Sequence, residues 1–70
     1  MERQAVASSN LRSVGYDAES AILEIQFHHG GVYQYVAVPL TIYEGLMAAG
    51  SKGRYFASHI KKRYRYRKVR

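Results

Sequence analysis

Cysteine is absent from the chain, which excludes a disulfide framework and a thiolate metal cage; a reducing compartment, the cytoplasm, is the expected location. No run of about eighteen apolar residues is available for a membrane span. Met1-Glu2-Arg3-Gln4 is not followed by the apolar stretch that a secretory signal requires, so neither insertion nor export is expected. Acidic residues are scarce: Glu2, Asp17, Glu19, Glu24 and Glu44 are the only five in 70 residues, and none follows residue 44. Phenylalanine is rare beside tyrosine, with two of the one against seven of the other. Tyrosine suits half-wet positions, where the ring packs and the hydroxyl stays hydrated.

What is abundant is local positive charge. Lys52 to Arg70 holds nine Lys or Arg and no carboxylate, whereas residues 1–51 set Arg3 and Arg12 against all five acids. The first 51 residues are therefore net −3 and the last nineteen net +9. A clustered positive field concentrates phosphate-bearing ligands, and each neutralised phosphate releases condensed counterions, giving affinity independent of sequence. The bland alternative is a basic tail that is only a solvated surface.

Seventy residues make one domain at most, with a small buried fraction and marginal stability. Val14 and Tyr16 alternate with small residues, so Asn10 to Tyr16 reads as a strand ending in the turn formers Asp17-Ala18-Glu19-Ser20. Leu23, Ile25 and Phe27 alternate with Glu24 and Gln26, the period-two signature of a half-buried strand over Ile22 to Phe27. Val32 to Val38 is a third strand, joined through His28-His29-Gly30-Gly31, and together these predict an antiparallel meander. A two-residue turn at His29-Gly30 sets Phe27 opposite Val32, Ile25 opposite Gln34 and Leu23 opposite Val36, placing Tyr33 and Tyr35 on the wetter face. A three-residue loop instead puts Tyr33 opposite Phe27 and Tyr35 opposite Ile25, in the core. The first register is preferred because it gathers the valines with Leu23, Ile25 and Phe27.

Pro39 stops the third strand, and Thr41-Ile42-Tyr43-Glu44 has the spacing of a reciprocal helix cap. The helix that follows buries Ile42, Tyr43, Leu46 and Met47, and Gly50 is placed to end it in a left-handed conformation. Ser51 caps a second helix with Phe56 and Ile60 on one face. The predicted fold is thus α+β, a three-stranded antiparallel β-meander followed by two short α-helices. Residues 1–7 are read as an N-terminal arm, 8–66 as the domain and 67–70 as a basic tail.

Phosphate candidates are Lys52, Arg54, Lys61, Lys62, Arg63, Arg65, Arg67 and Lys68; Lys61 and Lys62 also oppose the negative pole of the second helix. Tyr33, Tyr35, Tyr64 and Tyr66 are candidate stacking rings for bases of a single strand. The structural reading of the same four is that they pack beneath a helix or fasten the tail to the sheet. In an extended tail Arg63, Arg65 and Arg67 point one way and Tyr64 and Tyr66 the other. His28, His29 and His59 lack the spacing of a metal site, no pair of carboxylates is set across a cleft, and Ser8 and Ser9 have no positioned base. No catalytic residue, metal or cofactor is assigned.

In order along the chain, Ser8-Ser9-Asn10, Val14-Gly15-Tyr16-Asp17, Gly31-Val32-Tyr33-Gln34-Tyr35, Val38-Pro39, Tyr43, and Ser51-Lys52-Gly53-Arg54-Tyr55-Phe56 through His59-Ile60-Lys61 resemble the KTSC domain. That small module occurs alone in bacteria and phages and at the C-terminus of some lysyl-tRNA synthetases. The resemblance covers about residues 8 to 66 and implies no catalysis; RNA binding has been suggested for the family. Where the family's turn is usually written Asn-Gly, this chain has His29-Gly30. The expected function is a small non-enzymatic binding module, with RNA or another nucleic acid held on a basic C-terminal edge supported by tyrosines. The alternative is a protein-interaction or assembly module, binding an acidic protein or a second copy.

Overall fold

The computed structural model describes residues 1–70 and consists of one antiparallel sheet with two helices on one face. The elements run β1 (Gln4–Ala5), β2 (Leu11–Asp17), β3 (Ile22–Phe27), β4 (Val32–Tyr35), α1 (Leu40–Ala48), α2 (Lys52–His59) and β5 (Tyr66–Lys68). The strands lie side by side in chain order, so the α+β meander is there but has five strands rather than the three expected. The two additions are the edges: β1 pairs Gln4 with Val14, and β5 pairs Tyr35 with Tyr66 and Tyr33 with Lys68. No helix is long and apolar enough to cross a membrane.

A bulge in β2 sets the core. Leu11 pairs with Phe27 and Ser13 with Gln26, leaving exposed Arg12 as the extra residue. An additional residue re-phases the pleat, so Leu11 and Val14, three apart, both face inward. They join Leu23, Ile25, Tyr35, Val38, Leu46, Phe56 and Ile60 in one cluster. Asp17 organises the following turn, accepting from the Glu19 amide and the Ser20 hydroxyl.

The β3–β4 hairpin overturns the preferred register. Phe27 and Gly31 close a three-residue loop, His28-His29-Gly30, in which Gly30 takes φ 107°. This is the turn-plus-bulge solution for a three-residue connection, and it places Tyr35 opposite Leu23 and Tyr33 opposite Ile25. Each tyrosine sits two positions further along than the three-residue alternative supposed, a slip that preserves the face. Tyr33 and Tyr35 therefore look toward the helices, and Gln34 and Val32 share the other face with Glu24 and Gln26.

Strand β4 also stops earlier than expected. Ala37 adopts φ 57°, turning the chain so that the Val38 amide bonds to the Ala21 carbonyl, itself at a left-handed residue. Tyr16 stacks on Tyr43 at 4.8 Å and donates its hydroxyl to the Val38 carbonyl at 2.6 Å, fixing the entry to α1. The reciprocal cap at Thr41 does not form, because α1 begins two residues earlier, with Pro39 as an N-cap that has no side-chain bond to offer. Gly50 is not left-handed either; α1 ends on Ala49 in extended conformation. The cap at Ser51 does form, its hydroxyl accepting from the Arg54 amide. Gly45 allows the two helices to approach, since a Cβ there would lie 2.1 Å from the Tyr55 hydroxyl.

Candidate nucleic-acid interface

Between the β3–β4 hairpin, α2 and β5 the helix-side face of the sheet is left uncovered, and a groove of about 600 Å³ opens there. Its size falls within the range of small-ligand clefts, roughly 300–1,000 Å³. One wall is the Ser9-Asn10 loop, tied down where the Asn10 carbonyl accepts from the His28 amide and the His28 ring meets the Ser8 carbonyl. The other wall is α2, contributing Gly53, Phe56 and Ala57, with Lys61 and Lys62 at its exit.

The lining is a closed circuit of five rings. Phe27 meets Phe56 at 5.3 Å, Phe56 meets Tyr35 at 5.5 Å and Tyr35 meets Tyr66 at 5.4 Å. Tyr66 then meets Tyr33 at 5.6 Å, and Tyr33 returns to Phe27 at 5.5 Å. Four of these contacts are edge-to-face, the geometry aromatic quadrupoles prefer. His29 stacks flat on Phe27 at 5.4 Å. Tyr35 is 4% exposed and forms the floor with Phe56; Tyr66, 58% exposed, forms the open side. Burial, with Tyr66 and Tyr33 beside it, pushes the Tyr35 hydroxyl up to about 12, so it stays protonated.

The candidate residues divide accordingly. Tyr33, Tyr35, Tyr66, Lys61 and Lys62 line the groove. Tyr35 is core, which removes it as a free stacking ring, and Tyr64 is half-buried against the same core. Lys68 pairs with Tyr33 on β5 and so stands on the groove face, outside the lining. Lys52 turns back to the Ala49 carbonyl and Arg63 to the Ser58 carbonyl, while Arg54 is exposed on α2. Arg63 sits in the turn after α2, so the expected alternation begins only with Arg65. Lining residues not picked out from the sequence include Phe27, Phe56, Asn10 and Gly53; the first two read as core, and the groove takes shape only with β5 in the sheet.

Arg67 lies on the opposite face, donating twice to Gln34 Oε1. Gln34 donates to Glu24, Glu24 pairs with Arg3, Arg3 reaches Ser13, and Ser13 donates to Gln26. This chain of side chains crosses the outer face from β5 to the N-terminal segment. Burial pushes the Glu24 carboxyl up, but the bonds from Gln34 and Arg3, the Arg3 charge and the terminal amine outweigh it and hold the group below its ordinary value of 4.5. A carboxylate whose acidity rises on folding stabilises the fold fully above that ordinary value, and the contribution fades as pH falls through the lowered one. Glu24→Gln is accordingly expected to melt below wild type at neutral pH, with the gap narrowing below about pH 4. Thermal melts across that range check it, and a constant gap would show that the charge of Glu24 contributes nothing.

Only Arg3 among the eleven cations makes an ion pair. All nine cations from Lys52 onward are thus uncompensated by native carboxylates.

The KTSC domain family matches residues 7–64. The chain belongs to the KTSC domain family. Across 99% of both chains it is 46% identical to an uncharacterised protein of Stutzerimonas stutzeri. The crystal structure of a KTSC domain protein from Yersinia pestis superposes with TM-score 0.96 at 45% identity, covering 99% of this chain and 97% of that one. A lysine–tRNA ligase of Trichormus variabilis matches at 38% identity over 87% of this KTSC domain, a segment amounting to 11% of the ligase. These likenesses assign the fold and the family, and none of them indicates a catalytic one.

Proposed function

We infer that this KTSC domain is a small non-enzymatic module that binds RNA through the basic surface formed by the α2 exit and β5, with tyrosine rings in support. The observation that carries the reading is the cationic run at the mouth of an aromatic groove, with none of its charges satisfied by a carboxylate. Cations that fix a phosphate backbone beside rings that accept bases are the two elements of single-strand recognition. The occurrence of a related segment within lysine–tRNA ligases is compatible with an RNA partner.

Titration of short single-stranded RNA and DNA at two salt concentrations tests the reading. Binding that weakens steeply with salt, and is stronger for RNA, is the expected result. No association with any nucleic acid at low salt sinks it. The interaction alternative would then lead, because β5 leaves one side of its backbone at the edge of the sheet, where a partner strand can add.

A further inference from the structure

We propose that the five-ring groove is the seat of one unpaired nucleobase, extruded from its strand, with the adjoining phosphate held by Lys61 and Lys62. The proposal rests on the RNA-binding reading and deepens it, by separating a base-reading pocket from the general phosphate surface. Three observations converge on this occupant. Phe27, Tyr33 and Tyr66 leave ring surface accessible around a buried floor, and base–aromatic stacking is the contact such surfaces offer a nucleic acid. Two lysines stand at one end of the groove, complementary to phosphate, and no carboxylate lines it. Asn10 is exposed at the groove wall, and its side-chain amide makes no bond within the protein, so it has both donor and acceptor to present to a base edge.

Gly53 supplies a further argument. It lies within α2, where glycine is a poorer helix former than any residue except proline. A Cβ built there would come 3.3 Å from the Asn10 amide nitrogen, across the end of the groove. Glycine at this site leaves this end of the groove clear, and a long side chain such as leucine would reach into it. A duplex has no free base to offer, so this groove serves single strands, loops and bulges.

The test compares a short single-stranded RNA with an abasic analogue of equal phosphate count, on wild type, Gly53→Leu and Tyr66→Ala. Wild type is expected to bind the base-bearing strand about tenfold more tightly than the abasic one. Both variants are expected to lose that discrimination while keeping the wild-type salt slope, because every cation remains. Thermal melts establish that each variant is folded; exposed Tyr66 is the safer of the two substitutions. Equal binding of the two polymers by wild type overturns the base pocket and leaves the RNA-binding reading standing. So does discrimination that survives in both folded variants. Failure of wild type to bind either polymer at low salt removes both.

Discussion

Tyr35→Ala is expected to destabilise the domain severely, and Tyr66→Ala, at its neighbour across the β4–β5 pair, only slightly. Tyr35 is 4% exposed and meets Phe56 in the core cluster, whereas Tyr66, which touches Tyr35 from outside that cluster, is 58% exposed. Truncating a buried aromatic costs about 3–5 kcal/mol. A chain of this length has a total stability of roughly 4–10 kcal/mol, at about 0.05–0.15 kcal/mol per residue. The loss is therefore a large share of the whole, and small domains have little core to redistribute it over. Tyr66→Ala forfeits ring contacts on one side only and is expected to cost about 1 kcal/mol or less. Denaturant unfolding of the two variants checks the contrast; equal midpoints would mean that the five-ring circuit does not brace the sheet. Because Tyr35 is structural, only Tyr33 and Tyr66 among the tyrosines of the circuit can report on binding.

The central strands and both helices were legible because their patterns are local. Leu23, Ile25 and Phe27 alternate on β3, and Phe56 and Ile60 stand one helical turn apart. Register was not legible, because it turned on whether the hairpin loop held two residues or three, and Gly30 satisfies either through its positive φ. The edges were hidden for a different reason. Gln4–Ala5 and Tyr66–Lys68 are two and three residues long, with no apolar alternation, and owe their strand conformation to neighbours already in place. The basic run was visible, but its division was not: Arg67 faces Gln34 on the outer side, and Lys61 and Lys62 face the groove on the inner. Left-handed Ala37, where a residue with a side chain occupies glycine's region, gives no sequence signal at all. It nonetheless explains why the chain leaves the sheet after Val36, whose amide still bonds to the Arg65 carbonyl.

Reversing Lys61, Lys62, Arg65 and Lys68 to glutamate is expected to abolish RNA binding at physiological salt. These four are exposed, make no side-chain bond within the protein and stand along the α2 exit and β5. Arg67 is left intact because its two bonds to Gln34 fasten β5 to the polar chain on the outer face. The change lowers the formal net charge of +6 by eight and places the new carboxylates where phosphates were to sit. On single strands each phosphate contact contributes about 0.7 to the dependence of log affinity on log salt, so removing four flattens the slope by about 3. The affinity loss at low salt is then expected to exceed about a hundredfold, since steering and contact energy fall together. Melting is expected to fall only modestly: glutamates at 61 and 62 sit against the negative pole of α2, but the crowding of like charges along β5 is relieved and no native ion pair is broken. Anisotropy titrations at two salt concentrations, beside a thermal melt, give both quantities. A variant that stays folded and binds RNA with the wild-type slope would move the phosphate contacts away from this edge, and the basic run would then be a solvated surface.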